Sequence, residues 1–192
     1  MLLELHQVTI GEAVRNVSLT VSSGQMLTLA GPQDIGAGPQ DTGAGSQDTL
    51  ARRQDTGAGS QETGRATLLR AVLGFIPLDG GHISIDGELL TPKSAPWFRK
   101  KTAYVPKQLS VPEGYKKVGD GRWTEMTAGE RYLWLLQKAV RSDKTLLIVD
   151  EPPTALSADD QQQANALLQE ATARGATVLA AISTNGNISL TP

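Results

Sequence analysis

A chain of 192 residues with 39% apolar side chains can form one substantial domain, or a core with a small subdomain, and its 20 glycines and 10 prolines point to a loop-rich insertion. The net charge of −2 gives no general reason to expect nucleic acid as a partner. Having no cysteine excludes disulfides, thiolate metal sites and cysteine nucleophiles, and suits a cytosolic setting. No run approaches the roughly 18 apolar residues of a membrane span, and the N-terminus lacks a signal-peptide pattern. A soluble chain is expected, with any membrane association made through a partner.

Residues 2–10 and 16–21 each alternate apolar and polar side chains, as half-buried strands do, with Gly11-Glu12 as the turn between them. Ser22-Ser23-Gly24-Gln25 makes a second turn, and residues 26–30 form a third strand that ends at Gly31. The opening therefore predicts an antiparallel β layer leading into a buried strand.

From Gly31 to Arg65 the composition changes abruptly into five seven-residue units: Gly31-Pro-Gln-Asp-Ile-Gly-Ala37, Gly38-Pro-Gln-Asp-Thr-Gly-Ala44, Gly45-Ser-Gln-Asp-Thr-Leu-Ala51, Arg52-Arg-Gln-Asp-Thr-Gly-Ala58 and Gly59-Ser-Gln-Glu-Thr-Gly-Arg65. A coiled coil would need apolar residues at two places in each unit, and these hold Gly, Pro, Gln and Thr. Solenoid periods begin at roughly 20 residues. The array has too little apolar surface to offset its ordering entropy, which predicts a solvated loop.

A helix is expected over residues 67–74, with glycine at its end, then a strand over 82–86 closed by Asp86-Gly87 and another over 102–106. Residues 107–125 read as a polar connector. Thr127 is a suitable N-cap for a helix to about Arg141, and Glu130 completes a capping box. A buried strand at 146–149, a helix over 157–173 and a final strand at 177–182 follow. Apolar strands alternating with helices mean a mainly parallel sheet covered on both faces.

Leu146-Leu147-Ile148-Val149 runs straight into Asp150-Glu151-Pro152. Two acids at the end of a buried strand are costly to desolvate unless something there uses negative charge. A Mg²⁺-nucleotide is such a user: one carboxylate holds the metal through its water shell and the next orients or deprotonates the attacking water. The alternative is a strand that ends in a solvated acidic turn.

A strand ending in glycine, a loop, and a helix entered through glycine is a phosphate-holding arrangement, since backbone N–H groups and the positive helix end surround the anion. Against the pattern G-x-x-x-x-G-K-[ST], the segment Gly59-Ser60-Gln61-Glu62-Thr63-Gly64-Arg65-Ala66-Thr67 has both glycines at the required spacing. Arg65 stands where lysine contacts phosphate, and Ala66 where a hydroxyl ligates Mg²⁺. Arginine keeps the charge but is a planar fork rather than a point donor. The Thr67 hydroxyl lies one helical step, about 100°, away.

Over nearly its whole length the chain resembles the ATP-binding subunit of an ABC transporter. The motif order is the family's: an N-terminal β layer, a phosphate loop, the run "GFIPLDGGHISIDGELL", a Q-loop region, a signature helix, a Walker B strand and a terminal strand. Met126-Thr127-Ala128-Gly129-Glu130 is similar to the signature L-S-G-G-[QE], which in the family faces the γ-phosphate bound by the other subunit. The resemblance implies a homo- or heterodimer of nucleotide-binding subunits beneath a membrane permease, on the cytoplasmic face. By the same resemblance Asp150 would hold Mg²⁺ through water and Glu151 would polarise the attacking water. Gly59, Ser60, Thr63, Gly64, Arg65, Ala66 and Thr67 would line the ATP phosphates.

The departures from the family pattern concern the chemistry. Lys107 stands at the Q-loop glutamine position, with Gln108 one residue late, and Ser183 stands at the switch histidine. Thr154-Ala155-Leu156-Ser157 is similar to the D-loop S-A-L-D without its aspartate. No aromatic residue stands near Ile10-Gly11, where the family stacks adenine, and the connector is shorter than the family's helical subdomain. Weakened hydrolysis is the implication, with a non-catalytic module supporting an active partner as the alternative.

The expected fold is thus α/β: a P-loop NTPase-type, mainly parallel sheet flanked by helices, with an antiparallel β layer and a truncated helical subdomain at 107–141. One domain spans 1–192, interrupted by the repeat at 31–58. Removing 31–58 would join Ala30 to Gly59 as an ordinary strand–loop–helix. Repeat number either tunes nucleotide binding or is a neutral expansion, since each doubling of loop length costs only about 0.6 kcal/mol. His6 and His82 are expected in surface or packing roles, Trp97-Phe98-Arg99-Lys100-Lys101 in a solvated turn preceding a strand, with a basic aromatic contact patch as the alternative, and Trp123 and Trp134 in the packing of the shortened subdomain.

Overall fold

The computed structural model describes residues 1–29, 64–107, 125–152 and 156–181. The repeat array, Gly59, Ser60, Thr63, most of the connector and Ser183 lie outside these described residues.

The N-terminal strands β1 (Leu3–Ile10) and β2 (Val14–Val21) pair antiparallel, and β4 (Gly80–Ile85) and the short β5 (Glu88–Leu89) extend the sheet in the order β2-β1-β4-β5. Leu3, Leu5, Val8, Ile10, Val17 and Val21 are buried, while polar residues between them face outward, as the alternation in the sequence predicts. The β1–β4 ladder shifts register between His6 and Thr9. At that bulge the backbone of Gly81 (φ +74°) crosses so near that a Cβ would fall 2.3 Å from the carbonyl oxygens of His6 and Gln7, so only glycine fits.

The second sheet is wholly parallel, in the order β3-β8-β7-β6, from β3 (Met26–Leu29), β8 (Thr177–Ala181), β7 (Leu146–Val149) and β6 (Thr102–Val105). Successive residues of β7 and β8 point to opposite faces. Leu146, Ile148, Leu179 and Ala181 join a core with the antiparallel sheet and helix α1 (Gly64–Val72), which buries Leu68, Leu69, Ala71 and Val72 there. Leu147, Val149, Val178 and Ala180 join a second core with α3 (Ala128–Val140) and α4 (Ala158–Ala173). Both faces are covered, which is why the strands read as continuous apolar runs. Within the second core, burial pushes the Tyr132 phenol above its ordinary pKa.

Three expectations need correction. Residues Trp97 to Lys101 are not a solvated turn but belong to a helix, α2 (Ala95–Lys101). A proline in its first turn, buried Ala95 and Phe98, and three basic residues against the negative end of the helix favour it. Trp134 is not buried: it is 41% exposed, with the Lys138 ammonium over its ring. Helix α1 starts at Gly64, three residues before Thr67, so Arg65 lies in its first turn. His6 and His82 stack on each other on the exposed face of the antiparallel sheet, as a surface role predicts.

Candidate functional site

Because the second sheet is parallel, all its strands deliver the residues that follow them to one edge. Ligands of open α/β sheets bind at that edge. Lys107 follows β6, Asp150 and Glu151 follow β7, and α1 begins nearby with Gly64 and Arg65. The Asp150 amide donates to the Val105 carbonyl at 2.9 Å, which ties the exit of β7 to that of β6 and brings the acids beside Lys107.

Glu151 is the centre of this edge. Its carboxylate accepts from the Arg65 guanidinium at 2.7 Å on Oε1 and from the Lys107 ammonium at 2.5 Å on Oε2. The Arg65 and Glu151 side chains are 6% and 9% exposed, so this pair is shielded from water, whereas Lys107 is 56% exposed. Removing one partner from such a buried pair costs about 3–5 kcal/mol, because the other charge is left uncompensated. The Lys107 contact, open to solvent on one side, contributes ~1 kcal/mol or less. Both oxygens of the carboxylate are thereby engaged by cations.

Asp150 faces a different environment. It is half-buried, accepts from the Tyr104 hydroxyl at 3.2 Å on Oδ2, and accepts the Glu151 amide at 3.0 Å on Oδ1. Ala66 is half-buried and Thr67 is buried, both in the first turn of α1.

The signature-like residues form a second locus. Thr127 caps α3: its hydroxyl accepts the Glu130 amide at 3.2 Å, and the Glu130 carboxylate accepts the Thr127 amide at 2.7 Å. Helix α4 starts with the same device, Ser157 with Asp160. The two helix starts touch, since a Cβ on Gly129 would lie 2.6 Å from Asp160 Oδ2 and 3.4 Å from Leu156 Cδ2. A side chain at Gly129 would thus push aside the Asp160 carboxylate that caps α4. Ala128 is exposed on the first turn of α3. A cleft of ≈ 340 Å³ opens at the opposite edge of the sheet, before β7 and β8, lined by residues such as Arg141, Lys144 and Arg174, and takes no part in either locus.

This chain shares its topology with many solved proteins. A nucleotide-free ATP-binding cassette from an ABC transporter superposes with a TM-score of 0.66, at 14% identity over 95% of this chain and 81% of that one. The dimeric structure of a cassette in a post-hydrolysis state, bound to ADP and phosphate, does so with a TM-score of 0.61, at 15% identity over 95% of this chain and 88% of that one. The fold is that of an ABC-type ATP-binding cassette.

Two curated sequences agree with the cassette fold. The type I secretion system ATP-binding protein PrsD of Rhizobium meliloti is 24% identical over 153 residues, 60% of this chain and 26% of that protein. The spermidine/putrescine import ATP-binding protein PotA of Chromobacterium violaceum is 28% identical over 177 residues, 76% of this chain and 41% of that protein. The chain therefore spans less than half the length of these relatives. No family model matches it. Among the described residues, no helix is long and apolar enough to cross a membrane.

A cassette of this fold implies Mg²⁺ with its nucleotide, and the side chains present can be tested against that ion. Magnesium takes oxygen donors in an octahedral shell. At the two positions where the fold would supply neutral oxygens beside Asp150, this chain has Ala66, whose side chain has none, and Lys107, which is a cation. The Lys107 ammonium is paired with Glu151, so it offers the ion no oxygen and occupies the neighbouring carboxylate as well. Among the described residues, no three carboxylate or imidazole side chains converge to compensate. The donor set does not fit Mg²⁺.

The sequence pointed to Arg65, Lys107 and Glu151 separately, through three motifs. It did not show that they meet. The available signal was that an arginine stands for a lysine and a lysine for a neutral glutamine at the edge where Asp150 and Glu151 emerge.

Proposed function

We propose that the chain is the nucleotide-binding subunit of an ABC-type transporter, binding ATP at a dimer interface with weakened hydrolysis. The observation that carries this reading is the meeting of Arg65, at the start of α1, with Glu151, at the end of β7, across the ligand-binding edge of a parallel sheet. The N-terminus of α1 opens at that edge, and helix N-termini suit a phosphate chain. Gly59, Ser60, Thr63, Gly64, Arg65, Ala66 and Thr67 are the proposed phosphate-lining segment, and Asp150 the acid facing the nucleotide from β7. Thr127, Ala128, Gly129 and Glu130 are the proposed contact to the nucleotide of a second subunit, with Lys107 and Ser183 at the Q-loop and switch positions. The partners on this reading are a second nucleotide-binding subunit and a membrane permease, which would hold the chain at the cytoplasmic face.

A second reading, a non-catalytic module that supports an active partner subunit, is favoured by one specific observation. A carboxylate that is to activate water needs a free lone pair directed at it. Two of the roughly four lone-pair sites of Glu151, one on each oxygen, are instead taken by the Arg65 guanidinium and the Lys107 ammonium, which leaves fewer for a water. The shared core of both readings is nucleotide binding, and equilibrium dialysis of the full chain against labelled ATP tests it. Saturable binding displaced by ADP is expected, and the absence of saturable binding overturns both readings.

A further inference from the structure

The failure of the edge to fit Mg²⁺ has a counterpart in what stands there. Lys107 Nζ lies 2.5 Å from Glu151 Oε2, with its side chain 56% exposed. An ammonium has three donors, and one is used by Glu151, so two remain for groups arriving from solvent. Arg65, by contrast, is buried and fixes the other oxygen of the same carboxylate at 2.7 Å, which holds Glu151 in place as the anchor of Lys107. Lys107 follows β6 and Asp150 follows β7, neighbouring parallel strands, so a positive charge is held beside the acid at the sheet edge by the backbone itself.

We propose that this chain binds its nucleotide without a divalent cation, the Lys107 ammonium, anchored by Glu151, supplying the positive charge to the phosphates. The inference rests on the nucleotide reading above and deepens it. Charge compensation of a triphosphate is shared between Lys107, the first turn of α1 and, through its hold on Glu151, Arg65. Asp150 is the charge that opposes a metal-free phosphate chain, and its oxygens already accept from the Tyr104 hydroxyl and the Glu151 amide. A magnesium-loaded nucleotide gains no ligand from the Ala66 side chain, so the metal-free nucleotide is bound at least as well. Lys107 is a binding residue in this arrangement, and Arg65 a positioning residue.

The test is a titration of the full chain with a fluorescent ATP analogue, once in excess EDTA and once in millimolar Mg²⁺. Wild-type affinity is expected to be as high in EDTA as in Mg²⁺. Lys107→Gln removes a charge-assisted contact, and its affinity in EDTA falls by about tenfold or more. Lys107→Arg keeps the charge and retains metal-free binding. Because Lys107 is largely exposed, both variants fold, which their unchanged thermal melting checks. Wild-type binding that appears only with Mg²⁺ overturns the inference and leaves the nucleotide reading intact. Lys107→Gln binding as tightly as wild type in EDTA also overturns it. No binding in either buffer overturns the inference together with the reading on which it rests.

Discussion

The first turns of α1 and α3 are the two helix starts that the motif pattern assigns to phosphate, and they are built in opposite ways. Helix α1 has no acid in its first turn and places Arg65 there, turned inward onto Glu151 of the neighbouring strand exit. Helix α3 closes its own end with Thr127 and Glu130, and Asp160 of α4 packs against Gly129. One start is held by a long-range ion pair, the other by local capping and the close approach of two helices. The difference teaches that the phosphate-loop end depends on the strand edge for its order, while the signature end is complete in itself. Charge differs as well: two cations meet a carboxylate at the first, whereas Glu130 and Asp160 cap the helices at the second.

The largest effect that would break this contrast lies at the ion pair. Glu151→Ala leaves the Arg65 guanidinium buried without its carboxylate and is expected to lower unfolding free energy by about 3–5 kcal/mol in urea denaturation. A loss below ~1 kcal/mol would mean that Arg65 turns to solvent and that α1 is not anchored there. Next comes the helix contact. Gly129→Ala puts a methyl group where Asp160 Oδ2 stands, and the cost is about 1–3 kcal/mol, part of it the disturbed cap of α4. In an Asp160→Ala background the same substitution becomes nearly neutral, and a double-mutant cycle without coupling would contradict the contact. The smallest effect is the cap itself: Thr127→Ala is expected to cost about 1 kcal/mol in the same assay, and no measurable loss would show that the α3 start is not held by its capping box.

Local features were legible in the sequence, and long-range ones were not. The capping boxes at Thr127 and Ser157 need only residues three apart, and an unbroken apolar run gave β7 its observed bounds, Leu146–Val149. Helix α2 escaped because seven residues with two buried side chains present no stripe to read. Trp134 was misread because a large aromatic on a helix is normally buried, yet here a lysine of the next turn covers its ring. Arg65 and Glu151 are 86 residues apart, and only the strand order β3-β8-β7-β6 brings them together. The departures from the motif pattern, Arg65 and Lys107, are the two groups that hold the acid, and as separate substitutions they carry no sign of acting on one carboxylate.

The central claim is that Glu151 is held by Arg65 and Lys107 instead of activating water. It is tested most directly by Mg²⁺-ATP turnover of the purified full chain beside Glu151→Gln, with nucleotide binding verified for both. A wild-type rate close to the uncatalysed background, and little changed in Glu151→Gln, is predicted, because the held carboxylate contributes little to attack on the phosphate. A wild-type rate well above background that collapses in Glu151→Gln would contradict the account.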